Sequence, residues 1–288
     1  MESFSANIKQ ELSEINNLKN KDLVKAELIG YLFTNLSNKF VTESEYNINR
    51  FAKLLNNVGI SDYSIGIQGK KYKISVKSKS KLRELLQEYE ENSEKIIENI
   101  DENEAKAMTR GSFLGSGSVT NPSNVYHLEV AFVDEKYADF IRNILSKYDI
   151  DMKSVKREKY IVLYIKGGEE ISKFLAFIGA NKSVLEFEDA RVVKDVRNKV
   201  NRLVNCETAN MNKTIKSSVQ QIEDIKLIKE RHKFDKLSTK EQELAEVRLQ
   251  NPDATLSELG KLLNPEISKS GVNHRLNRIQ SLAKEIRE

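Results

Sequence analysis

The run Arg110-Gly111-Ser112-Phe113-Leu114-Gly115-Ser116-Gly117-Ser118 closes a helix predicted over Glu102–Leu114. Gly111 and Gly115 stand four apart, so they share one helix face and leave it without side-chain bulk. A second helix, predicted from Asp22 through Asn35, carries the same spacing in Gly30 and Thr34. Small residues so placed let two helices approach closely, as at a pseudo-two-fold seam. Gly115 and Gly117 also fit the ordinary ending of a helix, a reading that suits Gly30 and Gly111 less well.

Outward from these helices the same order of elements occurs twice. After the first come strands predicted at Lys39–Thr42 and Tyr46–Asn49 and a helix through Phe51, Leu54 and Leu55. A hairpin follows, Tyr63–Ile67 with Tyr72–Lys77 across Gln68-Gly69-Lys70, and a helix at Ser80–Tyr89 closes the unit. In its second strand Tyr72, Ile74 and Val76 alternate with Lys71, Lys73, Ser75 and Lys77, making one face apolar and the other basic. After the second helix come a strand at Tyr126–Phe132, a helix at Lys136–Lys147, a hairpin of Asp151–Lys156 with Tyr160–Lys166, and a helix at Ile171–Ile178. Gly30 recurs as Gly111, Lys71-Tyr72 as Lys159-Tyr160, and Leu54-Leu55 before Ile60 as Ile144-Leu145 before Ile150. The expected fold class is α+β, a duplicated αββαββα domain over 1–182 with repeats of about 20–90 and 101–180. A short amphipathic helix over Ser5–Leu18 precedes it.

The helices carrying Gly30 and Arg110-Gly111-Ser-Phe-Leu-Gly115 resemble the paired motif helices of LAGLIDADG homing endonucleases. The resemblance implies that a nuclease of this kind holds a divalent cation on one acidic residue at the foot of each helix. The aligned positions here are Asn35 and Ser116, and no Asp or Glu falls between Glu27 and Glu43 or between Glu104 and Glu129. Magnesium needs carboxylate ligands, and without the ion nothing activates an attacking water. The expectation is an inherited fold without the activity: no enzyme, no catalytic residue, no metal and no cofactor.

Neither glycine nor proline occurs between Gly179 and Pro252, so helix can continue for most of that length. Val193, Val196, Val200, Leu203 and Val204 form one stripe, while Arg191, Lys194, Arg197, Lys199 and Arg202 load the remainder with positive charge. Such charge fits a solvated face or contacts to phosphate. The polar patch Asn205–Asn212 is expected to mark a bend or junction within a helical linker over 183–230.

Residues 231–288 read as an all-α domain. Ser238 and Glu241 cap a helix ended by Asn251-Pro252, and Thr255 with Glu258 forms a capping box for Leu256, Leu259, Leu262 and Leu263. Asn264-Pro265 stops that helix, and Ser268 caps a third whose apolar line is Val272, Leu276, Ile279 and Ala283. Ser270, Asn273, His274, Asn277 and Ser281 then look outward, as the recognition helix of a helix-turn-helix requires. Lys269, Arg275, Arg278 and Lys284 are positioned for phosphates and the amides for base edges. A small helical bundle with a solvated polar face is the plain alternative.

The complete order is similar to the WhiA family of sporulation and cell-division regulators, most specifically in Arg197-Asn-Lys-Val-Asn-Arg-Leu-Val-Asn-Cys-Glu-Thr-Ala-Asn210 and Ser268–Leu276. That resemblance implies double-stranded DNA as partner, transcription control, and a part in cell division and chromosome segregation. A secondary nucleic-acid or partner surface is expected from Lys71, Lys73, Lys77, Lys153, Lys156 and Lys159, with Arg191, Lys194, Arg197 and Arg202. RNA polymerase or another regulator is a candidate protein partner. The resemblance implies a cytoplasmic, nucleoid-associated location; composition itself is that of a globular protein, with 288 residues, 39% hydrophobic, 31% charged, and a net charge of +4 too small to settle the partner. One cysteine excludes an internal disulfide framework, and no apolar run suits a membrane span or a signal peptide. Three readings compete: a DNA-binding regulator, an adaptor joining DNA to protein, and a working nuclease, which the missing acids disfavour.

Overall fold

The structure, a computed structural model, describes residues 3–77 and 79–288. Packing divides the chain into two units, Met1–Asp195 and Val196–Glu288.

The first unit begins with α1 (Phe4–Ser13) and α2 (Lys21–Thr34), whose first turns are capped by the side chains of Ser3 and Asn20. There follow β1 (Lys39–Thr42), α3 (Glu45–Asn57), the hairpin β2 (Tyr63–Gln68) and β3 (Lys71–Val76), then α4 (Lys79–Glu91) and α5 (Ser93–Asn99). The second repeat runs α6 (Glu102–Ser116), β4 (Ser118–Val119), β5 (Leu128–Phe132), α7 (Glu135–Ser146), β6 (Lys153–Arg157), β7 (Tyr160–Ile165) and α8 (Gly168–Ile178). Two antiparallel sheets result, ordered β1-β3-β2 and β4-β5-β7-β6.

The duplication is there, with one element corrected. Tyr46–Asn49, expected as a strand, forms the first turns of α3. Ser44 caps that helix on Asn47 N, and Asn47, Ile48, Phe51, Leu54 and Leu55 are buried at helical spacing. Cap and core override the strand preference of Tyr-x-Ile. Among the described residues the first copy therefore has three strands, against four in the second. The leading helix is also shorter than expected, ending at Ser13.

Helices α2 and α6 pack against each other along the glycine spacing. A Cβ on Gly30 would lie 2.0 Å from the Met108 carbonyl oxygen, and one on Gly111 would lie 1.9 Å from that of Glu27. Gly115 meets Thr34 in the same way, at 2.2 Å from its Oγ1, so it belongs to the seam. Gly117 does cap the helix end, over its own Phe113.

Beside the seam lies a buried ionic cluster. Both Glu27 oxygens accept from Arg50 at 2.8 Å, and Glu27 Oε2 also accepts from Arg110 Nη1 at 3.2 Å. Asn17 Oδ1 also accepts from Arg50 Nη2, the Ile15 carbonyl accepts from Arg50 Nη1, and Ile178 O accepts from Arg110 Nε at 2.8 Å. Burial works against the charge on both guanidiniums. Glu27 outweighs it at Arg50, whose pKa is raised, while at Arg110 burial prevails and the pKa is lowered. A further tie joins the repeats, Asn47 Nδ2 donating to Leu114 O at 2.8 Å.

One helix, α9 (Asn181–Glu230), runs 50 residues without interruption through Asn205–Asn212, where a bend or junction was expected. The patch is polar, yet nothing in it removes a backbone donor or demands a positive φ. Near its start Phe187 joins the core of the first unit, and near its end Ile225 and Ile228 join that of the second. The second unit continues with a 3-10 turn at Phe234–Lys236, α10 (Thr239–Gln250), α11 (Leu256–Lys261) and α12 (Lys269–Arg287). The capping boxes Ser238/Glu241 and Thr255/Glu258 form as expected. Among the described residues no helix is long and apolar enough to cross a membrane.

Candidate nucleic-acid interface

α12 begins where Ser268 accepts from Gly271 N, and it buries Val272, Leu276, Ile279 and Ala283 against α10 and α11. This line turns Ser270, Asn273, His274, Asn277 and Ser281 into solvent, together with Lys269, Arg278 and Lys284. The approach from α11 is tight: a Cβ on Gly260 would lie 2.2 Å from Ile267 O, and Ile267 N donates to Gly260 O at 3.1 Å. Two helices joined through so close a turn give the geometry of a helix-turn-helix.

The basic residues of α12 are not equivalent. Arg275 is half-buried and reaches Lys240 O at 3.4 Å. Arg278 Nε lies 3.1 Å from Glu241 Oε1, while most of the Arg278 side chain remains exposed. Glu241 thus does two things, since its other oxygen accepts from Ser238 N at 2.8 Å. Burial pushes the Glu241 carboxyl up, but the Ser238 bonds and the charges of Arg278 and Arg275 outweigh it and hold the pKa below the usual value. Lys269 and Lys284 are exposed, Lys284 lying 4.0 Å from the exposed Glu288 Oε1.

In the first unit, Lys71 and Lys73 occupy the β3 face opposite buried Ile74 and Val76, as the alternation requires, and Lys77 follows just past the strand. The six lysines do not share one surface, however. Lys153 pairs with Tyr164 and Lys156 with Ile161, on opposite faces of their sheet, because residues three apart in a strand have opposite parity. Lys159 lies in the hairpin turn, over the Tyr160 ring.

The face of Lys153 also carries an acid that the sequence reading passed over. Glu129 accepts from Arg157 at 2.8 Å and lies 3.0 Å from His127 Nε2. Burial raises its pKa, but these two partners outweigh that and lower it overall. The signal was present in Leu128-Glu129-Val130, whose alternation sends Glu129 away from the core.

On α9, Arg191 pairs with Glu188, and Lys194 covers the Tyr126 ring and donates to Asn124 O, so both are engaged within the first unit. Arg197 and Arg202 are exposed. Val193, Val196, Val200, Leu203 and Val204 do form a stripe, and it too faces solvent.

At the feet of the seam helices both side chains bond to backbone. Asn35 Nδ2 donates to Lys39 O at 2.7 Å and its oxygen accepts from Ser37 N. Ser116 Oγ donates to Ala131 O at 2.7 Å and accepts from Ala131 N at 3.0 Å. Neither presents a charged oxygen. Among the described residues no three His, Cys, Asp or Glu side chains are grouped to hold a metal ion.

This architecture has relatives. The family model of the WhiA LAGLIDADG-like domain matches residues 105–197, and that of the WhiA C-terminal HTH domain matches 200–283. The chain belongs to the WhiA family. A probable cell division protein WhiA from Clostridium tetani is 46% identical over 193 residues, covering 66% of this chain and 61% of the relative. Its namesake in Clostridium acetobutylicum is 47% identical over 188 residues, covering 65% and 59%. The chain thus spans about three fifths of the length of the curated WhiA relatives it matches. Full-length WhiA of Thermotoga maritima superposes over 99% of both chains with a TM-score of 0.59 at 29% identity. A separately solved N-terminal LAGLIDADG domain of WhiA shares the fold of the first unit, with a TM-score of 0.52 at 24% identity.

Proposed function

We infer that this chain is a non-catalytic, sequence-specific DNA-binding regulator that reads duplex DNA with α12. The observation carrying this reading is the exposed row Ser270, Asn273, His274, Asn277 on the helix whose opposite side fills the second core. Amides of that kind hydrogen-bond base edges in the major groove, while Lys269, Arg275, Arg278 and Lys284 hold the flanking phosphates. The functional division we adopt is a LAGLIDADG-like domain over 1–182, a helical linker over 183–230 and the DNA reader over 231–288.

The relatives are named for cell division. We extend that role to this chain as transcription control in division, chromosome segregation and sporulation-type development, exercised at the nucleoid in the cytoplasm. The neutral bonds made by Asn35 and Ser116 support loss of nuclease chemistry, because a two-acid cation site has no counterpart there. A second reading is favoured by Glu129. An acid on the open face of the second sheet suits a protein partner better than a phosphate backbone, so an adaptor joining DNA to RNA polymerase or a division factor remains compatible.

Selection of duplexes from a random pool, followed by binding at fixed salt, tests the reading. Enrichment of one motif supports it, and enrichment of none contradicts it.

A further inference from the structure

The middle of α9 is an apolar face without a partner. From Val193 through Val200, Leu203 and Met211 to Ile215, each of these residues is between 52% and 63% exposed. They recur at helical spacing, and the same face continues into Ile225, which is fully buried in the second core. One stripe is thus covered at its C-terminal end and bare for roughly 35 Å before it, at 1.5 Å per residue. A contiguous exposed apolar stripe of this length, unlike the single scattered hydrophobics normal on a surface, marks an interaction site.

The stripe contains one carboxylate. Glu207 lies two turns beyond Val200 and one before Met211, on the same side of the helix. An occupant must therefore supply apolar surface and, at that point, a cation. We propose that the occupant is a second copy of this helix, running antiparallel about a two-fold axis. The register that sets Val200 against Val204 of the other copy also sets Val193 against Met211, and Arg197 against Glu207. Each copy then supplies the cation the other needs, and both Arg197 and Glu207 are exposed to do so. A parallel pair in register instead sets Glu207 against Glu207 inside the apolar seam, which like-charge repulsion disfavours. An isologous contact of this kind is the commonest route to a closed dimer, and it gives one assembly two recognition helices. This inference does not depend on DNA binding.

Sedimentation equilibrium of the 288-residue chain at micromolar concentration tests it. A dimer is expected, and L203D should abolish it while far-UV circular dichroism retains the helical signal. V155D, at an exposed apolar residue outside the stripe, should leave the dimer intact. R197E or E207R alone should weaken self-association by about tenfold, since two symmetric pairs are reversed in sign. The double variant R197E/E207R should restore it, an outcome that no simple loss of folding reproduces. A wild-type chain that stays monomeric, with its stripe bare or covered from within the same chain, overturns the proposal. So does a dimer indifferent to L203D, or charge variants that the double exchange fails to rescue.

Discussion

Glu27 and Arg110 meet across the seam between the two repeats, Arg110 Nη1 donating to Glu27 Oε2 at 3.2 Å with the carboxylate entirely out of water. The same carboxylate holds Arg50, so a single anion serves two buried cations on different helices. Removing it strands both. Glu27→Ala is expected to destabilise the first unit by about 3–5 kcal/mol, the cost of leaving a buried charge unpaired. Urea unfolding followed by tyrosine fluorescence checks this, and a loss below about 1 kcal/mol, the worth of an exposed pair, would contradict the burial assigned to the cluster.

The glycine seam makes a second prediction. Gly30→Ala places a methyl group 2.0 Å from the Met108 carbonyl, where two backbones must separate to admit it. A loss of about 1–3 kcal/mol follows from overpacking. Gly66→Ala, with nothing within 4 Å of its added carbon, is the control and should not destabilise the fold. Equal melting temperatures for the two variants would place the seam elsewhere.

Acid should loosen the second unit partly through Glu241. Its pKa is lowered in the fold by its Ser238 bonds and by Arg278 and Arg275, which together exceed the upward push of burial. A carboxylate depressed on folding adds stability above its unfolded pKa and loses it as pH falls through the folded value. The stability advantage of wild type over Glu241→Gln should therefore be largest near neutrality and shrink below the ordinary carboxylate pKa of about 4.3. Thermal melts of both proteins across acid pH give the comparison. A difference that persists undiminished in strong acid would exclude an ionic role.

Purified protein should leave duplex DNA intact with magnesium or manganese, because Asn35 and Ser116 spend their polar atoms on backbone partners. Metal-dependent cleavage that disappears on substituting residues of the α2–α6 seam would contradict this.

Much of this molecule was legible in its sequence because the decisive signals are local or periodic. Ser238, Thr255 and Ser268 announce helix starts, and Gly30 and Gly111 announce a close helix pair. The orientation of Asn273 and Asn277 followed from counting helical turns. What escaped the reading depends on contacts distant in the chain. Tyr46–Asn49 looks like a strand until Ser44 caps it and Asn47 reaches Leu114 O, 67 residues away in sequence. Glu27 reads as an ordinary charged helix residue, and only Arg50 and Arg110, on two other helices, give it a buried role. Grouping Lys153 and Lys156 as one basic surface, by contrast, overlooks a parity the sequence does show: their spacing of three in one strand puts them on opposite faces. Arg278 was assigned to phosphate alone, and its Glu241 partner lies on α10.

The account rests on α12 reading sequence, and Asn273 and Asn277 test it most directly. Both are exposed, within the first turns of the helix and one turn apart. The measurement is the affinity of Asn273→Ala and Asn277→Ala for one selected duplex and for scrambled DNA, at a single salt concentration. Each substitution should cost about 1–3 kcal/mol at the selected site and much less on scrambled DNA. Arg278→Ala, by comparison, should weaken both duplexes alike and reduce the salt dependence. If the asparagine variants lose affinity equally for both duplexes, α12 does not read bases and the central claim fails.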